Sequence, residues 1–560
     1  MKHLFGSPPV AVDSAEGPAD RERGSEALPT MRWESAGATL AALLLYIVTL
    51  APSITWAHDG ADSGELLAAA VTNGVPHPPG YPLYMILLQG WLWLTGLIFP
   101  AADLAWRGNL FSALCAALSV GVTVVVLGRL LAGYRWSKAW ALLGGLAWAV
   151  SLLLWTQAVV TEVYALHSLL LALLGWAVLC PDGRSRLSRN PAGSPHSAPA
   201  EGRVAGFRSR YSRRAALVLI LAFGFAHHLT FLLLLPAALY YLWTDPSAIP
   251  APRARFTYLA GILAAAGVLA ALFYVRTPLV AGTTPPPPVN WGYPDNLAGF
   301  WWLVSGSAYR GYFFTLEAKE MLGRVASWAY TVTTQYTPAG LGLALLGFAY
   351  LDGSNPRLRN FSVFWLLPVS LYSISYYTRD SEIYLLPVVW LMAVWMGFGL
   401  AVLADWLGRR PWHAPWRAIV ATGAVIGLTA LLLFHLPSVS LRGDREATDF
   451  LAAVEERIEP GSIIITTGDT TTFAVWYGAW GDGSLLAVAP DAVIVNYSLY
   501  QFDWYQRLLD NLYPNVANVG TSAQALIEAN IAARSIYLTE KIPIIPDERL
   551  QSEGPLWRIK

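Results

Sequence analysis

The chain has 560 residues, 55% of them hydrophobic and 13% charged, with a formal net charge of zero and a mean hydropathy of +0.44. Apolar runs close to the ~20 residues that a bilayer span needs recur along it, so the fold expected is an all-α polytopic membrane protein. Zero net charge argues against a nucleic-acid partner, and Cys115 and Cys180 both lie in apolar runs, so no disulfide framework is implied.

In chain order, residues 1–31 are polar, with mixed charges, Pro and Gly. They lack the apolar core of a signal peptide. A disordered cytoplasmic tail is expected over 1–35, with the first span as an uncleaved anchor. Spans are expected at 36–51, 109–131, 138–154, 162–180, 214–227, 229–243, 256–275, 335–351, 361–377, 383–404 and 417–436, about 11 in all. The apolar run 83–99 is set apart. The basic connectors 129–138, 181–214, 244–255, 352–360 and 405–417 all fall on the cytoplasmic side only if 83–99 does not cross. It is rich in Trp and follows Pro-Pro-Gly-Tyr-Pro, which suits a juxtamembrane helix inside a first external loop, 52–108. The transmembrane domain then spans 36–436, and the C-terminal region is external.

From about residue 440 the pattern changes. "SIIITT", "DAVIVNY" and "RSIYLT" read as short buried strands, and "REATDFLAAVEERI" and "SAQALIEANIAA" as amphipathic helices. This alternation predicts a small external α/β domain over 437–560.

Ionisable residues from distant stretches gather on the external side. "HDGADSGELLAAAVTNGVPHPPGYPLY" carries Asp59, Asp62, Glu65, His77 and Tyr81; "WTQAVVTEVYALH" carries Glu162, Tyr164 and His167. His227 and His228 sit at a hairpin, Asn290 and Trp291 in "NWGYPDN", and Asp380 and Tyr384 in "TRDSEIY". Such residues at membrane depth mark function, because each is costly there.

Asp62-Ser-Gly-Glu65 has capping-box spacing; a cap and a catalytic carboxylate are compatible roles. The functional reading is a general base that takes a proton from a hydroxyl, Asp62 acting with Glu65 and Asp59 beside it. With a phosphate leaving group one base suffices, whereas a glycosidase normally flanks the bond with two carboxyl groups. His77, His227, His228 and Arg276 are the cations available for a phosphate; Arg276 ends a span, from where arginines also snorkel. Tyr164 and Trp291 could stack on a sugar. Asp59-x-x-Asp62 plus a histidine could hold a hard divalent cation, Mg or Mn, although the spacing is not diagnostic.

"GADSGELLAAAVTNGVPHPPGYPLY" resembles the signature of the protein O-mannosyltransferase-like membrane family (domain of unknown function 2723). "WTQAVVTEVYAL", "GFAHHLTFLLLLP", "PPPPVNWGYP" and "RDSEIYLLP" follow in the family's order, so the resemblance covers roughly 36–400. It implies a GT-C-like fold with juxtamembrane helices in the first external loop. It also implies a glycosyltransferase that takes sugar, mannose-like, from a polyprenyl-phosphate donor at the external face, with Asp62 as the acidic residue. A protein or glycan hydroxyl would be the acceptor. Two positions depart from the family pattern: Tyr293 stands where Asp often follows "NWG", and Val280 where an Arg is often found. A lipid transporter or flippase would instead bury charges mid-span in broken helices, and an envelope assembly protein would not need polar residues to converge.

Overall fold

The structure is a computed structural model that describes residues 31–180, 200–245, 251–378, 380–410 and 414–560. The expected disordered tail, apart from its last residues, and most of the connector 181–214 lie outside them.

Every run expected to span forms a helix. The helices are α1 (Arg32–Thr49), α2 (Asp62–Val71), α3 (Pro82–Ile98), α4 (Leu104–Leu130), α5 (Ser137–Ala149), α6 (Leu152–Ala158), α7 (Val163–Leu179) and α8 (Ala200–Phe225). Next come α9 (Leu235–Trp243), α10 (Pro252–Tyr274), α11 (Arg276–Ala281), α12 (Leu297–Val304), α13 (Ala318–Thr334), α14 (Pro338–Ser354), α15 (Pro356–Ser375), α16 (Leu386–Gly408) and α17 (Trp416–Val439). Three details differ from expectation. The helix expected from 214 begins at Ala200, inside the basic connector, and the run from 229 starts as a 3-10 turn, Leu229–Leu234. The run 138–154 is broken into α5 and α6, bent by 63°.

By length and composition, four helices in the described residues can cross a bilayer, or five counting the bent pair. The shortfall from about 11 has a physical source. Pro82–Ile98, Val163–Leu179, Arg214–Phe225 and Leu229–Trp243 are apolar but short, and α1 opens on Arg32 and Glu34.

The helix starting at Ile383 and running through α16 is apolar all round and has its whole apolar window buried, whereas α17 has 11% of its window buried. Small residues let α16 approach its neighbours: a Cβ at Gly347 would lie 2.0 Å from the Trp395 carbonyl, and one at Gly399 2.0 Å from that of Leu343. Between apolar helices in lipid, such close approach is what packing contributes.

The C-terminal part holds all three expected strands: β1 (Ile463–Thr466), β2 (Val493–Asn496) and β3 (Ile536–Leu538). The sheet has five strands in the order β2-β1-β3-β5-β4. β1 pairs in parallel with β2 and β3, and β5 (Leu556–Ile559) runs antiparallel to β3 and to β4 (Leu550–Glu553). The last hairpin was not anticipated; "LQSEGPLWRIK" offers only short, half-polar strands around a Gly-Pro turn. Its helices include α18 (Glu446–Glu455), α19 (Asp469–Trp476), α20 (Ser484–Val488), α21 (Asp503–Leu512) and α22 (Ala523–Asn530).

This unit sits directly on α2. Gly64 touches α19 so closely that an added Cβ would lie 2.2 Å from the Phe473 carbonyl oxygen, and Trp56 Nε1 donates to Thr470 O at 3.0 Å. Gly64→Ala is therefore expected to cost about 1–3 kcal/mol by overpacking and to loosen the seam. Hydrogen exchange of α19 amides checks this; unchanged protection would show that the seam absorbs the methyl.

Candidate active site

The site is built on α2 and the turn after it. Asp62 and Glu65 both leave the first turn of α2, where the helix dipole favours carboxylates. The capping box read from the spacing does not form: Ala61 is the cap residue, and Asp62 is already helical. Glu65 turns instead to His77. Its Oε1 accepts the His77 backbone N–H at 3.0 Å and its Oε2 pairs with His77 Nδ1. Glu65 is fully buried, so this charge-assisted pair fixes the imidazole rigidly.

His77 Nε2 then lies 3.0 Å from the Tyr81 hydroxyl and 3.7 Å from Asp62 Oδ2. Tyr81 is held at a left-handed φ of 40°, after Gly80 at 83°. Strain of this kind, of order 1–3 kcal/mol, persists where surrounding structure enforces it. Asp62 is recessed yet wet, with 37% of its side chain exposed against 12% for His77.

Burial pushes the Asp62 carboxyl up, to about 7; His77 opposes the rise, while Glu65, Asp469 and Asp380 add to it. Burial would lower the His77 imidazole, but Glu65 and Asp62 outweigh it and raise the group to about 9. An Asp62 base near neutrality thus faces an imidazolium that Glu65 stabilises.

The loop expected to carry Asn290 and Trp291 is laced to this turn. Val75 N–H donates to Val289 O at 2.8 Å and Trp291 N–H to Val75 O at 3.0 Å, which sets the Trp291 ring 6.3 Å from His77, edge-on. Asn290 is buried and donates to Ala281 O. Arg276 braces the same turn, donating to Gly74 O and Asn73 Oδ1 at 3.2 and 2.7 Å. Tyr293 proves to be a docking residue: Arg507 of the C-terminal unit stacks on its ring at 3.9 Å and pairs with Asp295 at 2.7 Å.

Beneath Tyr81 the predicted residues continue inward. His228 lies 5.6 Å from Tyr81, 5.7 Å from Tyr164 and 6.0 Å from Tyr384, ring to ring, and Tyr164 is 5.9 Å from Tyr384. His227 Nε2 meets Val163 O at 3.0 Å, and His228 Nδ1 accepts from Thr230 N–H. Both histidines are thereby tied to the backbone, buried under the site, rather than presented to it as exposed cations. Glu162 is buried as well, capping α7 through its own carboxylate. Asp380 acts electrostatically on Asp62.

Asp59 is exposed on a left-handed turn with His58, and among the described residues no group of three or more His, Cys, Asp or Glu side chains is placed to hold a metal ion. Among the described residues the set of Asp59, Asp62 and a histidine expected for Mg or Mn is not gathered, and Glu65 is taken by His77.

Tyr309 and Asp469 go unassigned in the sequence, and His167 is noted there without a role. His167 packs 6.0 Å from His227 and 5.6 Å from His228. Tyr309 feels Asp62 and Glu65 once burial has raised it; nothing in its surroundings in sequence marks it. Asp469 is raised by burial and by Glu65. Its signal was present: Gly468-Asp469 directly follows a predicted strand, and loops at carboxyl ends of parallel strands bind ligands.

The family model described as "Protein O-mannosyl-transferase TMEM260 N-terminal domain" matches residues 62–248. The mouse (Mus musculus) Protein O-mannosyl-transferase TMEM260 is 36% identical over 115 residues, 20% of this chain and 15% of that protein. The Dictyostelium discoideum Protein O-mannosyl-transferase tmem260 is 28% identical over 134 residues, 23% of this chain and 15% of that one. The chain thus spans about 15% of the length of these curated relatives. Among solved structures, ArnT from Cupriavidus metallidurans bound to undecaprenyl phosphate superposes with a TM-score of 0.52 at 13% identity, covering 95% of this chain and 98% of that one. The segment carrying Asp62, Glu65, His77 and His227 is therefore similar to the protein O-mannosyltransferase-like membrane family, and the integral membrane chain around it shares the fold of ArnT from Cupriavidus metallidurans.

Proposed function

We propose that this protein is a membrane glycosyltransferase that moves a sugar, mannose-like, from a polyprenyl-phosphate donor to a hydroxyl of a protein or glycan. The observation that carries the reading is the recessed, solvent-reached Asp62 carboxylate 3.7 Å from His77 Nε2. Resemblance to O-mannosyltransferases and the ArnT-like fold support a lipid-phosphate donor.

In the proposed step Asp62 takes the acceptor's hydroxyl proton as that oxygen bonds to the anomeric carbon. The bond from anomeric carbon to phosphate oxygen breaks, and its electron pair leaves on the phosphate. Attack opposite the leaving group inverts the anomeric centre. His77, held protonated by Glu65, faces the charge that grows on the phosphate, where a fixed donor contributes most. The site opens on the external face, with the N-terminal tail cytoplasmic, as the basic connectors suggest.

The test uses the full chain in detergent with polyprenyl-phosphate-linked sugars, following release of polyprenyl phosphate. Acceptor-dependent release supports the reading. A folded protein that releases none, with either protein or glycan acceptors, sinks it.

The pH profile follows from the two groups. Asp62 must be ionised to act and His77 must be protonated. So kcat/KM is expected to climb as pH rises toward about 7 and to fall beyond about 9. A flat profile between pH 5 and 7, measured with a saturating second substrate, would contradict the Asp62 assignment.

A further inference from the structure

Helix α13 is amphipathic with its polarity reversed. Arg324, Ser327, Thr331 and, just past its end, Gln335 recur at three- and four-residue spacing, which puts them on one face. Each is engaged inward. Arg324 donates to the Ser373 carbonyl at 2.9 Å and to Ser381 Oγ. Ser327 and Thr331 both donate to the Glu382 carboxylate. Gln335 accepts the Leu153 backbone N–H at 2.9 Å. Trp328, beside this stripe, donates to Ser370 Oγ at 3.1 Å.

The opposite face is apolar and uncovered. Leu322 is 72% exposed, Val325 42% and Tyr330 70%, and a Cβ added at Gly323 would meet no atom within 4 Å. Exposed charge on the helix is confined to its first turn, at Lys319 and Glu320, where Glu317 and Glu320 form a capping box. In water a helix turns its apolar stripe to the core and its polar face outward. α13 does the opposite, and that is the pattern of a bilayer, where polar side chains turn to the protein.

The neighbouring helices carry the same surface. α15, on which α13 packs through Ser370 and Ser373, leaves Phe364, Leu367 and Leu371 exposed in a single stripe. α14 follows α13 after three residues and is one of the runs expected to span. The outer face of α13 thus continues a lipid-facing surface on both sides. None of the expected spans covers 276–334, so the sequence reading left this helix in water.

We propose that α13 is seated in the bilayer leaflet on the side of the catalytic site, with Leu322, Val325 and Tyr330 at the acyl boundary and its first turn among the headgroups. Its 17 residues run about 25 Å, and interfacial helices sink their apolar face ~5–10 Å. The partner is the lipid surface itself. The seat matters to the site because of what the inner stripe holds: Ser381 and Glu382 lead into Tyr384, which packs on Tyr164 and His228. A helix resting on lipid therefore backs one wall of the site. The inference needs only a membrane around the chain and stands whether or not the transferase reading holds.

The test reads depth directly. Val325→Cys, Tyr330→Cys and Lys319→Cys are made one at a time in the full chain carrying Cys115→Ala and Cys180→Ala. Each is labelled with a nitroxide and reconstituted into vesicles of phosphatidylcholine and phosphatidylglycerol. Power saturation then compares collisions with oxygen, which partitions into acyl chains, and with a nickel chelate, which stays in water. Oxygen is expected to dominate at 325 and 330 and the chelate at 319, so the ratio inverts along the helix. Either outer-face label suffices if the other unfolds the chain. A chelate-dominated ratio at 325 or 330 places the face in water and overturns the proposal. Low collision rates with both reagents there place it under protein, a second copy of this chain included, and overturn it as well.

Discussion

Asp62→Asn is expected to lower acceptor-dependent release of polyprenyl phosphate by about 10²–10⁴-fold, the usual worth of general-base catalysis, while leaving the protein folded. Two features separate function from stability here. Asp62 makes no side-chain cap, since Ala61 is the cap residue, and 37% of its side chain reaches solvent. Asparagine is nearly isosteric and no buried partner is orphaned by the change. His77 keeps Glu65 on its other nitrogen, so it stays in place. The thermal midpoint should therefore hold or rise slightly, because the substitution removes a carboxylate that its setting raises to about 7. The alkaline limb of the pH profile belongs to His77 and should survive in whatever residual activity remains, while the acid limb disappears. Wild-type turnover by a folded Asp62→Asn protein would falsify the base assignment. Loss of activity accompanied by a collapsed thermal midpoint would count against it too, by making Asp62 structural.

Much of this arrangement was legible before any coordinates, and the reasons differ from part to part. The helices were readable because each expected span is an apolar run set off by polar or basic connectors. How many of these helices cross a bilayer was less legible, since several stop short of 18 residues and α5 breaks into α6. In the site, residue types marked positions that the fold brings together, while partnerships stayed hidden. The spacing of Asp62 and Glu65 suggested a capping box, a local interaction; the fold brings His77 back over α2 and gives Glu65 a long-range partner instead. His227 and His228 looked like available cations, yet Val163 O and Thr230 take one nitrogen of each. Tyr293 was visible as a departure from the family pattern, but its role needed Arg507, more than two hundred residues away. Strand periodicity found β1, β2 and β3 because their residues are uniformly buried. It missed β4, whose middle is exposed and polar.

The second large effect concerns Glu65. Glu65→Ala is expected to cost about 3–5 kcal/mol of stability, because it leaves His77 with a charge and no buried partner and strips the acceptor from its backbone N–H. Unlike Asp62→Asn, it should lower the thermal midpoint and the activity together. Glu65→Gln separates the two effects. The amide oxygen can still accept the His77 N–H, so most of the backbone anchor remains, but the negative charge is gone. That charge is the leading influence holding the imidazole near 9 against burial. In Glu65→Gln the alkaline limb of kcat/KM should therefore slide down toward the acid limb, narrowing the profile and reducing its height. Stability carries the same signature with a definite sign. A histidine raised in the folded state stabilises fully below its ordinary value of 6.5 and loses that contribution as pH rises through about 9. Wild type should lose stability across that window, measured by denaturant titration, and Glu65→Gln should lose less. If instead the mutant keeps a full-height profile with its alkaline limb near 9, the proton that matters there is not on His77, and the imidazolium facing the leaving phosphate must be replaced by another cation.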